Sequence, residues 1–195
     1  MEIHIESKRK KPENVMRQYP EAVIIDVTSN APDEFVQFSP FYPIGDIPVP
    51  GMPGEKSLCV EGIWQGLKVF ETTDYDKSYF QKSNKDIKRT VKKFGKVRGH
   101  YLEGKLLNYL DARKLIFIPA YRFVLEKSLD HLVQKMRDIA TNKKLVLLDY
   151  STNDSILIPK PLSHAAIIRA AILNDYSLLE QTNSPKYTPI QGSLF

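Results

Sequence analysis

Residues 38–70, FSPFYPIGDIPVPGMPGEKSLCVEGIWQGLKVF, run a proline- and glycine-rich loop into a short amphipathic pattern, and the rest of the chain is read around them. Val60, Ile63, Trp64, Leu67 and Phe70 recur at helical spacing and predict one apolar stripe on a helix over 60–70. Glu61, Gln65 and Lys68 form a second row at the border of that stripe, setting a carboxylate, an amide and an amine beside a buried face. Gly62 and Gly66 lie beyond this row. Each costs about 1 kcal/mol against alanine in a helix interior, so together they predict a segment packed close to the helix backbone. Five prolines between Pro40 and Pro53 stiffen the loop, which can then hold Phe41 and Tyr42 in place before the helix. On spacing alone, Glu61 and Lys68 read equally well as solvated charges and as members of a site.

The 195 residues, 42% hydrophobic and 26% charged, suit one domain with its own core, which we place at 1–182 with a polar, proline-broken tail at 183–195. No apolar run approaches the ~20 residues that span a bilayer, and the charges of MEIHIESKRKKPEN are followed by no apolar signal core. The expectation is a cytoplasmic protein with no membrane partner. The single cysteine, Cys59, has no disulfide partner in the chain and reads as a small buried residue.

Around the central stretch, residues 3–5 and 22–28 read as strands, the second a β-branched run suited to the middle of a sheet. Pro12 and Pro20 bracket a short helix. Residues 83–94 predict a helix with Ile87, Val91 and Phe94 inward. Helical spacing recurs over 102–110, and 114–118 reads as a strand stopped by Pro119. The longest helical pattern is 121–142. KLVLLDY (144–150) and SILIP (155–159) follow as strands, and 161–181 as a final helix. The total is α+β, mainly helical around a small central sheet.

His4, His100, His131 and His164 are scattered and lack the spacing of a zinc site, so neither metal nor cofactor is expected. Walker, dinucleotide-binding and serine-hydrolase glycine motifs are absent. Between Lys82 and Arg98 eight cations face one anion, a surplus of about seven charges. Lys88, Arg89, Lys92, Lys93, Lys96 and Arg98, with aromatics nearby, suit either a solvated face or a surface that grips a phosphate backbone. Tyr121 and Arg122 open the long helical pattern, where an arginine fork can meet a pyrophosphate or close a structural salt bridge. Asp149 and Asp154 bracket the turn after a strand, an edge at which ligand crevices open, and Asp154 is as easily a turn cap.

The order Ser39, Phe41, Tyr42, Pro43, then Val60 and Glu61, with Gln65 four and Lys68 seven residues after the glutamate, resembles the NADAR superfamily, named for NAD and ADP-ribose. Two positions depart from its pattern: Pro40 stands where asparagine is usual, and Gly62 where histidine is. The tryptophans usual toward the C-terminal end are missing too. The resemblance implies a NADAR-like fold and an N-glycosidase that removes ADP-ribose from a modified nucleobase, guanine-type, in DNA rather than RNA, opposing a toxin that attaches it. In that scheme Lys68 attacks the anomeric carbon to form a Schiff base and Glu61 moves protons. Gln65 orients the sugar, Ser39, Phe41 and Tyr42 close over it, and ADP-ribose and ADP-ribosylated nucleic acid are the partners. Two further classes stand beside this one: a binder of ADP-ribose or nucleic acid without catalysis, and a basic inhibitor or adaptor acting through residues 82–98.

Overall fold

Ile3–Ser7 form β1, and α1 (Pro12–Gln18), with a proline in its first turn, leads to β2 (Val23–Asp26) in a computed structural model that describes residues 1–83 and 87–181. The loop region holds a 3-10 turn (Glu34–Phe38) and a short antiparallel pair, β3 (Ile47–Pro48) and β4 (Lys56–Ser57), before α2 (Val60–Gly66) and β5 (Lys68–Phe70). A second 3-10 turn (Lys77–Gln81) and the four-residue α3 (Val91–Phe94) precede a hairpin, β6 (Val97–Leu102) and β7 (Lys105–Leu107). A long helical run comes next: α4 (Tyr109–Ala112), a widened π turn (Arg113–Phe117), α5 (Ile118–Phe123) and a second π turn (Val124–Ser128). The described chain closes with α6 (Asp130–Asn142), β8 (Leu145–Asp149), α7 (His164–Leu173) and a 3-10 turn (Tyr176–Glu180).

The architecture is α+β in one domain, dominated by helix around small sheets, as the pattern predicts. The middle of the parallel sheet belongs to β8, and the β-branched run at 22–28 is an edge. The strand order is β1-β8-β2, with Ile3 to Ser7 paired to Leu145 to Asp149 and Val23 to Asp26 paired to Leu145 to Leu148. Burial explains the exchange. Leu145, Val146 and Leu147 are fully buried on both faces, whereas β1 is half-buried throughout. α7 lies on this sheet with Ile167, Ile168 and Ala170 at 0% exposure, and α6 packs on α7. Among the described residues no helix is long and apolar enough to cross a membrane.

Five local expectations fail, each for a physical reason. The helix read over 83–94 survives only as Val91–Phe94, because Arg89 turns into the core and Val91 faces solvent at 57% exposure; residues 84–86 lie outside the described residues. The spacing at 102–110 is split: 102–107 belong to a hairpin whose two turn residues, Glu103 and Gly104, have φ of 48° and 79°, the two positive values of a type I′ turn, and helix begins only at Tyr109. Residues 114–118 are helical, and Pro119 sits inside the run. The widened turn before it accommodates a ring that crowds the carbonyl four residues back. SILIP forms turns, held by Arg113 as described below. The last helix stops at Leu173, where Asn174 takes a left-handed conformation (φ 53°). The tail at 183–195 lies outside the described residues.

Candidate functional site

α2 ends one turn earlier than the stripe suggested, so Lys68 opens β5 instead of lying on the helix. The row survives this change. Gln65 Nε2 donates to Glu61 Oε1 at 2.7 Å, and Lys68 Nζ donates to Gln65 Oε1 at 3.0 Å. Gln65 Oε1 also accepts the backbone N–H of Arg89 at 3.0 Å, which fixes the amide with its oxygen toward the lysine. Gln65 is 4% exposed, so it bridges the pair and is not placed to orient a sugar.

The two glycines behave as the sequence predicts. A Cβ on Gly62 would lie 2.8 Å from Ser57 Oγ and 2.9 Å from the Tyr79 carbonyl, and one on Gly66 would lie 2.5 Å from Phe80 Cε1. A histidine at position 62 would therefore point into packed structure and away from the row. Cys59 is buried and caps α2 by accepting the Gly62 N–H, and burial pushes its thiol up to about 11. It is a structural residue.

Burial pushes the Glu61 carboxyl above its ordinary value, against the opposing pull of Gln65, Lys68 and Lys88. Burial also lowers the Lys68 amine, with Arg89 and Lys88 adding to the effect and Glu61 opposing it. Both groups are thus moved toward their neutral forms. His100 lies directly across from Lys68 in the β5–β6 pairing, is 1% exposed, and is held down to about 3 by burial with Lys68 contributing. Its ring sits 3.8 Å from that of Trp64, and neither of its nitrogens has a hydrogen-bond partner among the described residues. Sequence reasoning missed His100 in this role, because only strand pairing brings it to the row.

Two clefts lie near the row, one walled by the loop before α2 and one that includes Glu61 itself. One, of about 280 Å³, is lined by Ser39, Phe41 and Tyr42 with Ser29, Val36, Pro43 and Ser83. The loop is tied to the helix where the Glu61 N–H donates to the Pro40 carbonyl at 2.8 Å. Lys88 stands 5.5 Å from the Phe41 ring, and its charge is felt by both Glu61 and Lys68, so it faces the space between loop and row. The other cleft, of about 140 Å³, is lined by Glu61, Trp64, Tyr109, Arg113, Phe117, Pro161 and Leu162. A larger cavity of about 350 Å³, walled by Leu125, Val133 and Tyr176, contains none of the row residues.

The remaining expected site residues divide. Tyr121 is 1% exposed, and its hydroxyl donates to the Phe38 carbonyl, so it is a strut under the Ser39–Tyr42 loop and lines none of these three cavities. Arg122, one residue further round the helix, points away, pairs with Glu126 at 2.6 Å and covers the Tyr176 ring at 4.4 Å. Asp154 pairs with Arg169 at 3.0 Å, and among the described residues it caps no turn and lines none of these three cavities. Arg89 is no phosphate contact. It is 5% exposed and donates to the carbonyls of Gln65, Lys68 and Asp74 from between the rings of Phe70, Tyr79 and Phe94. Lys88, Lys92, Lys93, Lys96 and Arg98 are exposed around the strand that Lys68 opens.

Arg113 escaped the sequence reading altogether. It is 2% exposed and donates to the carbonyls of Ile156 at 3.2 Å, Ile158 at 3.0 Å and Lys160 at 2.6 Å, fixing the segment that carries Pro161 and Leu162. Among the described residues no group of three or more His, Cys, Asp or Glu side chains is placed to hold a metal ion. A model for a family of unknown function (DUF6939) matches residues 7–168, a span that contains the row and both clefts. No curated protein and no solved structure matches the chain.

Proposed function

We propose that this chain, which belongs to the DUF6939 family of unknown function, is an N-glycosidase that removes ADP-ribose from a guanine-type nucleobase in DNA. The observation that carries the reading is the row itself: a carboxyl and an amine joined through one buried amide, at 2.7 and 3.0 Å, each displaced toward its neutral form. A neutral amine is a nucleophile and a neutral carboxyl is an acid, and Schiff-base chemistry at an anomeric carbon asks for both. The resemblance of residues 38–70 to the NADAR superfamily supports the choice of substrate. The geometry of Gly62 supports catalysis over mere binding, since the histidine missing there would not reach the row.

The steps balance as follows. Glu61 protonates the ribose ring oxygen, the C1′–O4′ bond opens, and the base nitrogen's lone pair makes C1′ an iminium carbon. Lys68 adds through its lone pair to C1′. A proton passes from the new ammonium, by way of Glu61, to the base nitrogen, the C1′–N bond breaks, and the neutral base leaves a lysine Schiff base. Water then adds to C1′, and collapse releases ADP-ribose and restores the amine. One water is consumed. Ser39, Phe41, Tyr42 and Lys88 stand on the side of the row suited to the ADP-ribose half, and Lys92, Lys93, Lys96 and Arg98 form a face suited to the DNA backbone. The setting this implies is the cytoplasm.

Borohydride tests the mechanism, because it reduces a Schiff base to a stable secondary amine. ADP-ribosylated DNA plus hydride should leave a covalent adduct on Lys68, and Lys68→Ala should lose adduct and turnover together while folding normally. Turnover without an adduct, or an active Lys68→Ala protein, would overturn it. Binding of ADP-ribose with no release of base would identify a reader.

A further inference from the structure

The smaller cleft is built differently from the loop side of the row. Trp64 is half-buried, packs on His100 from one side and meets two further rings nearly at right angles, Tyr109 at 5.8 Å and 74° and Phe117 at 5.7 Å and 81°. Tyr109, Arg113 and Phe117 recur every four residues along one side of the helical run, and Tyr109 remains 40% exposed. The opposite wall, Pro161 with Leu162, is held by the carbonyl bonds of Arg113, so the opening is fixed on both sides.

Polarity narrows what can enter. Glu61 uses one carboxyl oxygen on Gln65; the other has no hydrogen-bond partner among the described residues, and Glu61 lines the cleft. The guanidinium of Arg113 donates through Nη1 and Nη2 to the carbonyls of the facing segment and lies against the face of Tyr109 at 4.6 Å, so its charge is turned toward backbone oxygens. Among the described residues that line this cleft Arg113 is the one cation and it already serves carbonyls, so a phosphate beside the Glu61 carboxyl is disfavoured there. A flat, uncharged ring with N–H groups and ring nitrogens at its edge is favoured by the aromatic walls and by the free oxygen.

We propose that this cleft is a nucleobase subsite, in which the base on the leaving side of the glycosidic bond packs against Trp64, Tyr109 and Phe117 with its edge at Glu61. The identity of the occupant rests on the glycosidase reading: Glu61 serves the departing nitrogen, and Glu61 belongs to this wall. The ADP-ribose half then occupies the loop side, next to Phe41 and Lys88.

Trp64 is the chain's single tryptophan, so its emission reports this cleft directly. Titration with guanosine should quench it. Tyr109→Ala should weaken that binding about tenfold or more, the loss expected when one stacking ring is removed. Tyr109→Phe should keep it, and the thermal shift produced by free ADP-ribose should be the same in all three proteins. No quenching by guanosine, or equal affinity in Tyr109→Ala, would overturn the subsite. Loss of the ADP-ribose shift in Tyr109→Ala would overturn it too, placing adenine there instead. Since Tyr109→Ala removes an exposed ring, circular dichroism should show it folded; Phe117→Leu gives a second reading. Quenching without base release from ADP-ribosylated DNA leaves the subsite standing and removes the glycosidase. Turnover with a Lys68 adduct but no quenching removes the subsite alone.

Discussion

Gln65 holds its two neighbours in place through the two ends of one amide, while burial moves both toward neutrality. Its oxygen accepts from Lys68 and from the Arg89 backbone, and its nitrogen donates to Glu61. Because both flanking groups must be neutral together, activity should follow a bell against pH, and Glu61→Gln should leave a single limb while slowing turnover about 10²–10⁴-fold. A pH profile of kcat/KM measures both; an unchanged bell would exclude Glu61 from the proton transfers. His100 carries the opposite lesson. A buried imidazole with two unpartnered nitrogens costs about 1–3 kcal/mol, so His100→Phe, which keeps the ring against Trp64, should be at least as stable as the parent in urea. A drop in stability above about 1 kcal/mol would mean those nitrogens have partners in solution. The row was legible in the sequence because helical spacing alone brings residues 61 and 65 together. His100, 32 residues beyond Lys68, arrives through strand register, which no local pattern encodes.

α2 owes its position to the glycines that its propensity would reject. Gly66→Ala gains about 1 kcal/mol of helix propensity, yet the new methyl lands 2.5 Å from Phe80, a ring 1% exposed and unable to swing away. Overpacking of this kind costs about 1–3 kcal/mol, so the net effect should be a lower urea midpoint at unchanged m. An increase would show that the 3-10 turn carrying Phe80 yields easily. The misread elements share a cause. LIFIP has the β-branched and aromatic content of a strand, but Ile116 is buried from a helical run whose π turn makes room for Pro119, with Leu115 turned to solvent, so tertiary context overrides propensity. The hairpin over 97–107 hides behind Glu-Gly, a pair less telling than Asn-Gly at a type I′ turn. SILIP looked extended because nothing near it in sequence announces Arg113, more than forty residues away, as the donor that holds its carbonyls.

At the scale of the whole molecule, charge and sheet order decide behaviour. If the exposed basic face tracks DNA, reversing Lys92, Lys93 and Lys96 to Glu should weaken binding of modified DNA and flatten its salt dependence by about 0.9 for each phosphate no longer neutralised, while urea stability holds. An unaltered slope would remove the DNA backbone as a partner. Stability should itself depend on pH through a buried clamp at the end of β8. Asp149 Oδ2 accepts Ser163 Oγ at 2.6 Å and faces His164 Nδ1 at 3.0 Å, while His164 Nε2 meets the Val27 carbonyl at 2.8 Å. Despite the opposing effect of burial, Asp149 and the Val27 carbonyl raise His164 above its ordinary 6.5; its contribution is complete below that value and fades as pH climbs through the raised one. Asp149 is lowered against burial, chiefly by His164, so its contribution is present above its ordinary 3.8 and fades as pH falls through the lowered value. Urea midpoints should peak between those limits, and Asp149→Asn should cost about 3–5 kcal/mol there, the price of stranding a buried partner. A flat pH response would dismiss the clamp. The sheet that this clamp closes also has a history in time. Among the described residues β1 and β2 pair with β8 and not with each other, and the ribosome delivers β8 roughly 120 residues after β2, or about 6–24 s later at 5–20 residues per second. Throughout that interval the nascent chain presents two strand edges with no native mate, open to pairing with another chain until Leu145–Asp149 emerges.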